Sequence, residues 1–479
     1  MQYETIVGFE VHVELATRTK IFCGCSTEFG APPNTQVCPV CLGLPGSLPA
    51  LNRKAMDYAL RAAVALNCKI NSPTIFERKN YYYPDLPKNY QISQLRHNLG
   101  VDGWLEIVVA ETRKRIRIHN VHLEEDAGKN VHPEGAGEDY SLVDLNRTGT
   151  PLLEIVSEPD IRGPDEAMAY MQALKNLLEY IDVSDCNMHE GRLRFEVNIS
   201  HRPKGETELP NYRSELKNLA SMKTAVRCIE YETRRQCRAL DRGETLRQDT
   251  RLWDETTQKT RAMRTKEEAN DYRYFPEPDL VEVEISEEWL DEIRRTLPEL
   301  PDAKKARFIE QYALPDYDAE VLTASRPLAD YYEKAVAAHN NSKALSNWIM
   351  TELLRELNNR DLEPAERPIP PENLAALVRM IDDGAISGKI AKDVFAEMIE
   401  TGGEPRKIVE QKGWAQVKDA GQIDAWVDEV IAANPDAAEA YAGGKDKTLG
   451  FLVGQVMARC KGKANPQMVN DLFRRKLRR

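Results

Sequence analysis

The run Tyr3-Glu4-Thr5-Ile6-Val7-Gly8-Phe9-Glu10-Val11-His12-Val13-Glu14-Leu15 decides how this chain is read. Its side chains alternate. Val7, Phe9, Val11, Val13 and Leu15 share one parity, and Glu10, His12 and Glu14 share the other. Successive residues of a strand point to opposite sides, so one face suits a core and the other carries titratable groups. Arg192 to Ser200 repeats the pattern: Leu193, Phe195, Val197 and Ile199 oppose Arg192, Arg194, Glu196 and Asn198. The two runs predict strands with one buried and one chemical face.

Helices interrupt these strands. Met168, Met171, Leu174, Leu177 and Leu178 recur at helical spacing and predict a helix from Pro164 to Tyr180. Another is expected from about Asn218 to Asp241, ending near Gly243. Beyond about residue 290 the pattern turns helical, with segments Pro327–His339, Ala344–Leu357 and Pro371–Asp382. Asp361–Pro371 is Pro-rich and polar and reads as a connection; a further small helical unit follows Thr401-Gly402-Gly403. The expected class is α+β. A mixed body fills residues 1–292, a helical domain 293–405 and a small helical tail 406–479.

A chain of 479 residues suffices for several domains with real cores. No apolar run approaches the roughly 18 residues of a membrane helix, and the first residues lack the basic and apolar regions of a secretory signal. A cytoplasmic protein without a membrane partner is expected. The net charge of −12 argues against a nucleic-acid partner for the chain as a whole. From Ala440 to Arg479, however, ten Lys and Arg face two Asp. Such a basic end suits a local polyanion contact, and a solvated helix fits it equally well.

Four of the nine cysteines crowd into Cys23-Gly24-Cys25 and Cys38-Pro39-Val40-Cys41, and the rest are scattered. An odd, uneven set does not make a disulfide framework. Two tight pairs can close a tetrahedron around zinc with Zn–S near ~2.3 Å. All four ligands are protein atoms, so such a site is structural.

Phosphate-binding loops with the G-x-x-x-x-G-K-[ST] signature are missing from the sequence, so any use of ATP needs another architecture. Carboxylates on strand faces offer one. Glu10 and His12 point the same way, His122-Leu123-Glu124-Glu125-Asp126 clusters oxygens, and Glu154 interrupts the apolar Leu152–Val156. An unpaired buried carboxylate is costly, and a metal relieves that cost. Glu10, His12, Glu125 and Glu154 are therefore expected around Mg²⁺, with Glu215 as a weaker candidate. Glu125 is preferred to Glu124 because it continues the parity of Val121 and Leu123. Arg192, Arg194 and Lys217 are candidates for neutralising phosphate. For each residue taken singly, a surface salt bridge is the commoner explanation.

Longer motifs carry a resemblance. Gly8 to Leu15, Lys79 to Gln94, His122 to Lys129, Asp144 to Glu154, Arg264 to Asp279, Gly450 to Gln455 and Lys461 to Pro466 are similar to the B subunits of the aspartyl/glutamyl-tRNA amidotransferases. The resemblance spans the chain. It implies a glutamine-dependent carbon–nitrogen ligase in which this chain binds mischarged Glu-tRNA(Gln) or Asp-tRNA(Asn). It phosphorylates the side-chain carboxylate with ATP and Mg²⁺, and ammonia from a partner amidase then forms the amide. It further implies a cradle-like body, a YqeY-like tail, an amidase partner, a small third partner and sometimes a synthetase. Lys79, Tyr81, Tyr82, Asp85 and Lys88 match part of the family's ammonia path. The tail cations Lys447, Lys461, Lys463, Arg474 and Arg475 are the implied tRNA contacts. Two rival readings use the same features: a non-catalytic, zinc-stabilised tRNA-binding subunit, and a zinc hydrolase. Four cysteine ligands leave zinc no open position, which weakens the second.

Overall fold

The alternating run at the start forms one long strand, β1, over Tyr3–Glu14. The computed structural model describes residues 2–131, 140–265, 272–360, 362, 366, 369–415, 420–460, 464 and 466–477. The strands after β1 are β2 (Lys69–Ile70), β3 (Glu77–Asn80), β4 (Tyr90–Ser93), β5 (Gly100–Val109), β6 (Thr112–Glu125), β7 (Lys129–Val131) and β8 (Leu142–Asp144). They continue with β9 (Pro151–Ser157), β10 (Leu193–Pro203), β11 (Ser214–Lys217), β12 (Asp249–Asp254), β13 (Lys259–Thr265) and β14 (Phe275–Pro276). Nine of them form one sheet in the order β13-β12-β11-β10-β1-β9-β6-β5-β2. All neighbours are antiparallel except β11 and β12. Strand β1 thus lies at the centre, zipped to β10 from Tyr3↔Pro203 to Val13↔Leu193 and to β9 from Glu10↔Val156 to Glu14↔Leu152.

One face of this sheet makes the main core. Val7, Phe9, Val11 and Val13 join Leu153, Ile155, Phe195, Val197 and Ile199 in a cluster covered by three helices. These are α1 (Arg53–Ala65), α2 (Pro164–Tyr180) and α3 (Met222–Asp241). Helix α2 has the predicted bounds, with proline at its first turn and Asp165 and Glu166 beside its N-terminus. Helix α3 starts later than expected. Asn218 adopts φ 65°, outside the helical region, and the Ser221 hydroxyl caps the helix by accepting from the Thr224 amide.

The first compact unit runs to Leu300. Helix α4 (Glu287–Thr296) belongs to it because the Trp289 indole donates to Asp57 on α1 at 2.9 Å while Arg53 stacks 3.4 Å over the ring.

The second unit, Pro301–Arg479, is helical among its described residues. Leu328, Tyr332, Leu374 and Phe395 belong to one hydrophobic cluster, and Ile423, Leu452 and Phe473 to another. The expected helix Ala344–Leu357 is divided into Ser342–Trp348, a π-helical turn Ile349–Leu353 and Leu354–Asn359. Most of the Asp361–Pro371 connection lies outside the described residues. Among the described residues, no helix is long and apolar enough to cross a membrane. The class is α+β, as the sequence predicts.

Phe9 is 1% exposed and packs against the rings of Tyr170, at 5.3 Å, and Phe195, at 6.0 Å. Phe9→Ala is expected to destabilise the first unit by about 3–5 kcal/mol, read from the shift of its urea midpoint.

Candidate functional site

The pairing register aligns the polar parity into rows. His12 on β1 stands between Arg194 on β10 and Glu154 on β9, and Glu154 stands next to His122 on β6. Glu10 pairs with Glu196, and Asn198 with Glu215. All of these residues lie on the face opposite the core helices.

Two clusters result. In the first, His12, Glu124 and Glu154 bring one ligand atom each within 4.8 Å of one another. His12 Nε2 lies 3.6 Å from Glu154 and 3.9 Å from Glu124, and His122 Nε2 lies 3.2 Å from Glu154. Ser93 donates to Glu124 at 3.1 Å. The groups titrate apart. Burial would lower His12, but its hydrogen bond to Glu154 and the charges of Glu154 and Glu124 outweigh it and hold the imidazole at about 9. Burial and Glu154 raise Glu124. Burial acts the same way on Glu154, but His122 and His12 hold it well below the usual carboxylate range. Lys79 completes the charge balance. Burial opposes its ammonium, yet Glu124 leads the groups that raise it.

In the second cluster, Glu10, Glu196 and Glu215 converge within the same limit. Lys217 bridges Glu196 at 2.6 Å and Glu215 at 3.0 Å, while Asn198 donates to Glu10 at 2.8 Å. A cavity of about 360 Å³ opens beside Glu10 and Asn198, bordered by Gly8, Ser157, Ser200 and Tyr212. Carboxylate oxygens with one imidazole form a donor set for a hard divalent cation, and each trio offers three donors.

The predicted set of Glu10, His12, Glu125 and Glu154 is not brought together. Glu125 has the parity of Val121 and Leu123, as read, but that is the core side of the sheet. There it pairs with Lys88 and accepts from the Ile92 amide at 2.8 Å. Glu124 takes the place beside His12. Glu10 and Glu215 belong to the second trio. Of the three candidate phosphate-binding cations, Lys217 meets that trio and Arg194 binds Asp126 at 2.8 Å. Arg192 is turned to Asp185 at 2.6 Å and Glu190 at 2.8 Å. The candidate ammonia-path residues divide. Lys79 faces the first cluster, Tyr81 donates to Gln91 at 3.2 Å, and Gln91 reaches the Glu125 carbonyl at 2.8 Å. The Asp85 carbonyl accepts from Gly128 at 2.9 Å, and Tyr82 is exposed.

The four N-terminal cysteines do converge. Their sulfurs lie within 4.8 Å of one another, with Cys41 Sγ 3.9 Å from Cys38 Sγ. Regular tetrahedral Zn–S bonds of about 2.3 Å place sulfurs roughly 3.8 Å apart. The cluster can bind a metal, and zinc is compatible with it. In the tail, Lys447, Arg474 and Arg475 are exposed; Lys461 and Lys463 lie outside the described residues.

Comparison with known proteins now bears on this arrangement. Residues 5–291 match the GatB/GatE catalytic domain, and residues 330–477 match the GatB domain. A protein of Carboxydothermus hydrogenoformans, named as the B subunit of aspartyl/glutamyl-tRNA(Asn/Gln) amidotransferase, is 57% identical, with 99% of each chain covered. Proteins of the same name from Caldanaerobacter subterraneus and Persephonella marina are 55% and 52% identical over the full length of both chains. The chain belongs to the GatB/GatE family.

Within this GatB/GatE body, sequence reasoning passed over His122, which joins Glu154, and ranked Glu124 second. The available signal was parity: His122 and Glu124 are two apart, on the face that also carries His12. Glu14 and Asp126 were also missed. Burial, followed by the Asp126 charge, pushes Glu14 up to about 8, whereas Arg194 and Arg147 lower Asp126 despite its burial.

Lys88 and Glu125 are 8% and 2% exposed at their side chains. Removing one partner leaves a buried charge uncompensated, so Lys88→Met is expected to cost about 3–5 kcal/mol in chemical denaturation. Lys88→Met/Glu125→Gln should recover most of that loss, and the double-mutant cycle measures the coupling.

Proposed function

We propose that the polar sheet face is the phosphoryl-transfer centre of a tRNA-dependent amidotransferase, in which this chain is the component that activates the carboxylate. The carrying observation is the convergence of His12, Glu124 and Glu154 on one half-buried face, with Glu10, Glu196 and Glu215 beside them. A free carboxylate has no good leaving group. In the proposed reaction, one carboxylate oxygen of the misacylated Glu or Asp attacks the γ-phosphorus of ATP, and ADP leaves. Ammonia then attacks the acyl carbon, and phosphate leaves with its bonding pair. Mg²⁺ held by the two trios would offset the charge of the phosphate oxygens. Lys79 adds a fixed cation to the same face, and Lys217 lies ready to pair with phosphate in place of Glu196 and Glu215. The cavity beside Glu10 is the proposed nucleotide pocket.

Ammonia is supplied by the amidase partner, and the small third partner completes a heterotrimer in the cytoplasm. Its proposed route passes the Lys88–Glu125 pair and Tyr81 toward Lys79. Zinc in the cysteine cluster would be structural, because four thiolates fill its coordination. The body serves as the cradle, and the last helices bind tRNA. A purely tRNA-binding subunit has no use for a buried face of this kind, since desolvated carboxylates are costly when idle.

Glu124→Gln keeps the shape and removes the charge. In the assembled enzyme it is expected to abolish tRNA-dependent ATP cleavage while leaving tRNA affinity within about tenfold, or roughly 1.4 kcal/mol. Near-normal amidation by both Glu124→Gln and Glu154→Gln would sink the site. For the tail, Arg474→Ala/Arg475→Ala should weaken tRNA binding and lower the slope of log affinity against log salt by about one to two, as expected when phosphate contacts are lost. The glutaminase activity of the amidase partner should not change. An unaltered slope would mean that these arginines are merely solvated.

A further inference from the structure

The Lys20 side chain is fully buried. Its Nζ donates to the Gln36 carbonyl at 2.8 Å, the Leu145 carbonyl at 3.4 Å and Cys41 Sγ at 3.7 Å. Three acceptors use all three N–H bonds of an ammonium. Among the described residues, no carboxylate forms an ion pair with it. Glu125 lines the same cavity of about 170 Å³ but is taken by Lys88. A buried cation with no anion is strongly unfavourable on general grounds. Of its three acceptors, two are neutral carbonyls, and Cys41 Sγ is the one that can carry a negative charge. Four thiolates around a divalent zinc carry a net charge of −2, so cluster and ammonium each supply what the other lacks.

We infer that Lys20 is the positioning residue of the zinc site, its ammonium serving as the counter-charge of the thiolates and its N–H bonds tying the second knuckle, through Gln36 and Cys41, to the Leu145 loop. This rests on the zinc reading above. Metal-bound ligands are oriented and tuned by the groups that hydrogen-bond to them, and losing such a group lowers metal affinity by about 10–100-fold. A donor and a positive charge at Cys41 stabilise the sulfur lone pairs. They therefore raise the energy of sulfur-to-metal charge transfer.

The test uses the assembled enzyme loaded with Co²⁺ or Zn²⁺, comparing wild type with Lys20→Met and Lys20→Gln. Wild type should bind one Co²⁺ per chain with a thiolate charge-transfer band. Lys20→Met should shift that band to lower energy, and zinc competition against a chromophoric chelator should show about 10–100-fold weaker retention. Lys20→Gln keeps donors without the charge, and its band should lie between the two. If neither band nor affinity moves in either variant, even where thermal stability falls, Lys20 is only a packing residue and the inference is overturned. Should Lys20→Met fail to fold, an unshifted band in Lys20→Gln overturns it as well. Absence of a thiolate band from the wild type would instead overturn the zinc reading itself.

Discussion

The two-residue period of β1 is the constraint on which the rest depends. It fixes Phe9 and Val11 on the helix side and Glu10 and His12 on the other. Slipping β1 by one residue against β10 or β9 would bury His12 and expose Phe9, so the core selects the register. The register in turn aligns Arg194, His12, Glu154 and His122 across four strands. No loop has to close to assemble this row. The hydrophobic effect, which is non-directional, thereby positions groups whose chemistry is strongly directional.

Burial has a second consequence. Carboxylates this crowded cannot all ionise without cations, and the face supplies them locally: Lys79 and the two histidines by the first trio, Lys217 by the second, Arg194 and Arg147 by Asp126. The compensation is incomplete, because Glu124 remains raised while Glu154 is lowered. The second trio, three carboxylates against one lysine, is left with surplus negative charge and is suited to receive a divalent cation and the phosphates that accompany it.

What the sequence revealed follows the same physics. Strand parity, the Pro164–Tyr180 helix and the cysteine pairs depend on neighbours in the chain, and they were legible. The pairing of Glu124 with His12 depends on which strands lie side by side, which periodicity alone does not state. Glu125 follows Val121 and Leu123 in parity, yet that parity leads into the core, where Lys88 meets it. His122 was visible within its motif but acquires a role only when β9 brings Glu154 to it at 3.2 Å. Helix α3 starts beyond Asn218 because that residue enters the left-handed region, a preference that helical periodicity does not register.

The cysteine cluster and the polar face are joined by a short path of hydrogen bonds and main chain. Gly149, at φ 83°, carries the loop past Lys20 and Cys41: a side chain there would need a strained backbone, and its Cβ would lie 3.6 Å from the lysine stem and 3.7 Å from the cysteine. Its carbonyl accepts from Ile21 at 2.9 Å, and its amide donates to the Asp126 carbonyl at 2.9 Å. The same loop enters β9 at Pro151, and β9 carries Glu154. One side of the loop is therefore held by the knuckles and the other by the end of β6. Any slack in the cysteine cluster would be felt at the start of β9, within one short strand of the carboxylate that His12 and His122 share. A site built on rigid strands needs its strand ends anchored, and a metal held by four side chains would anchor this one without offering a coordination position to substrate.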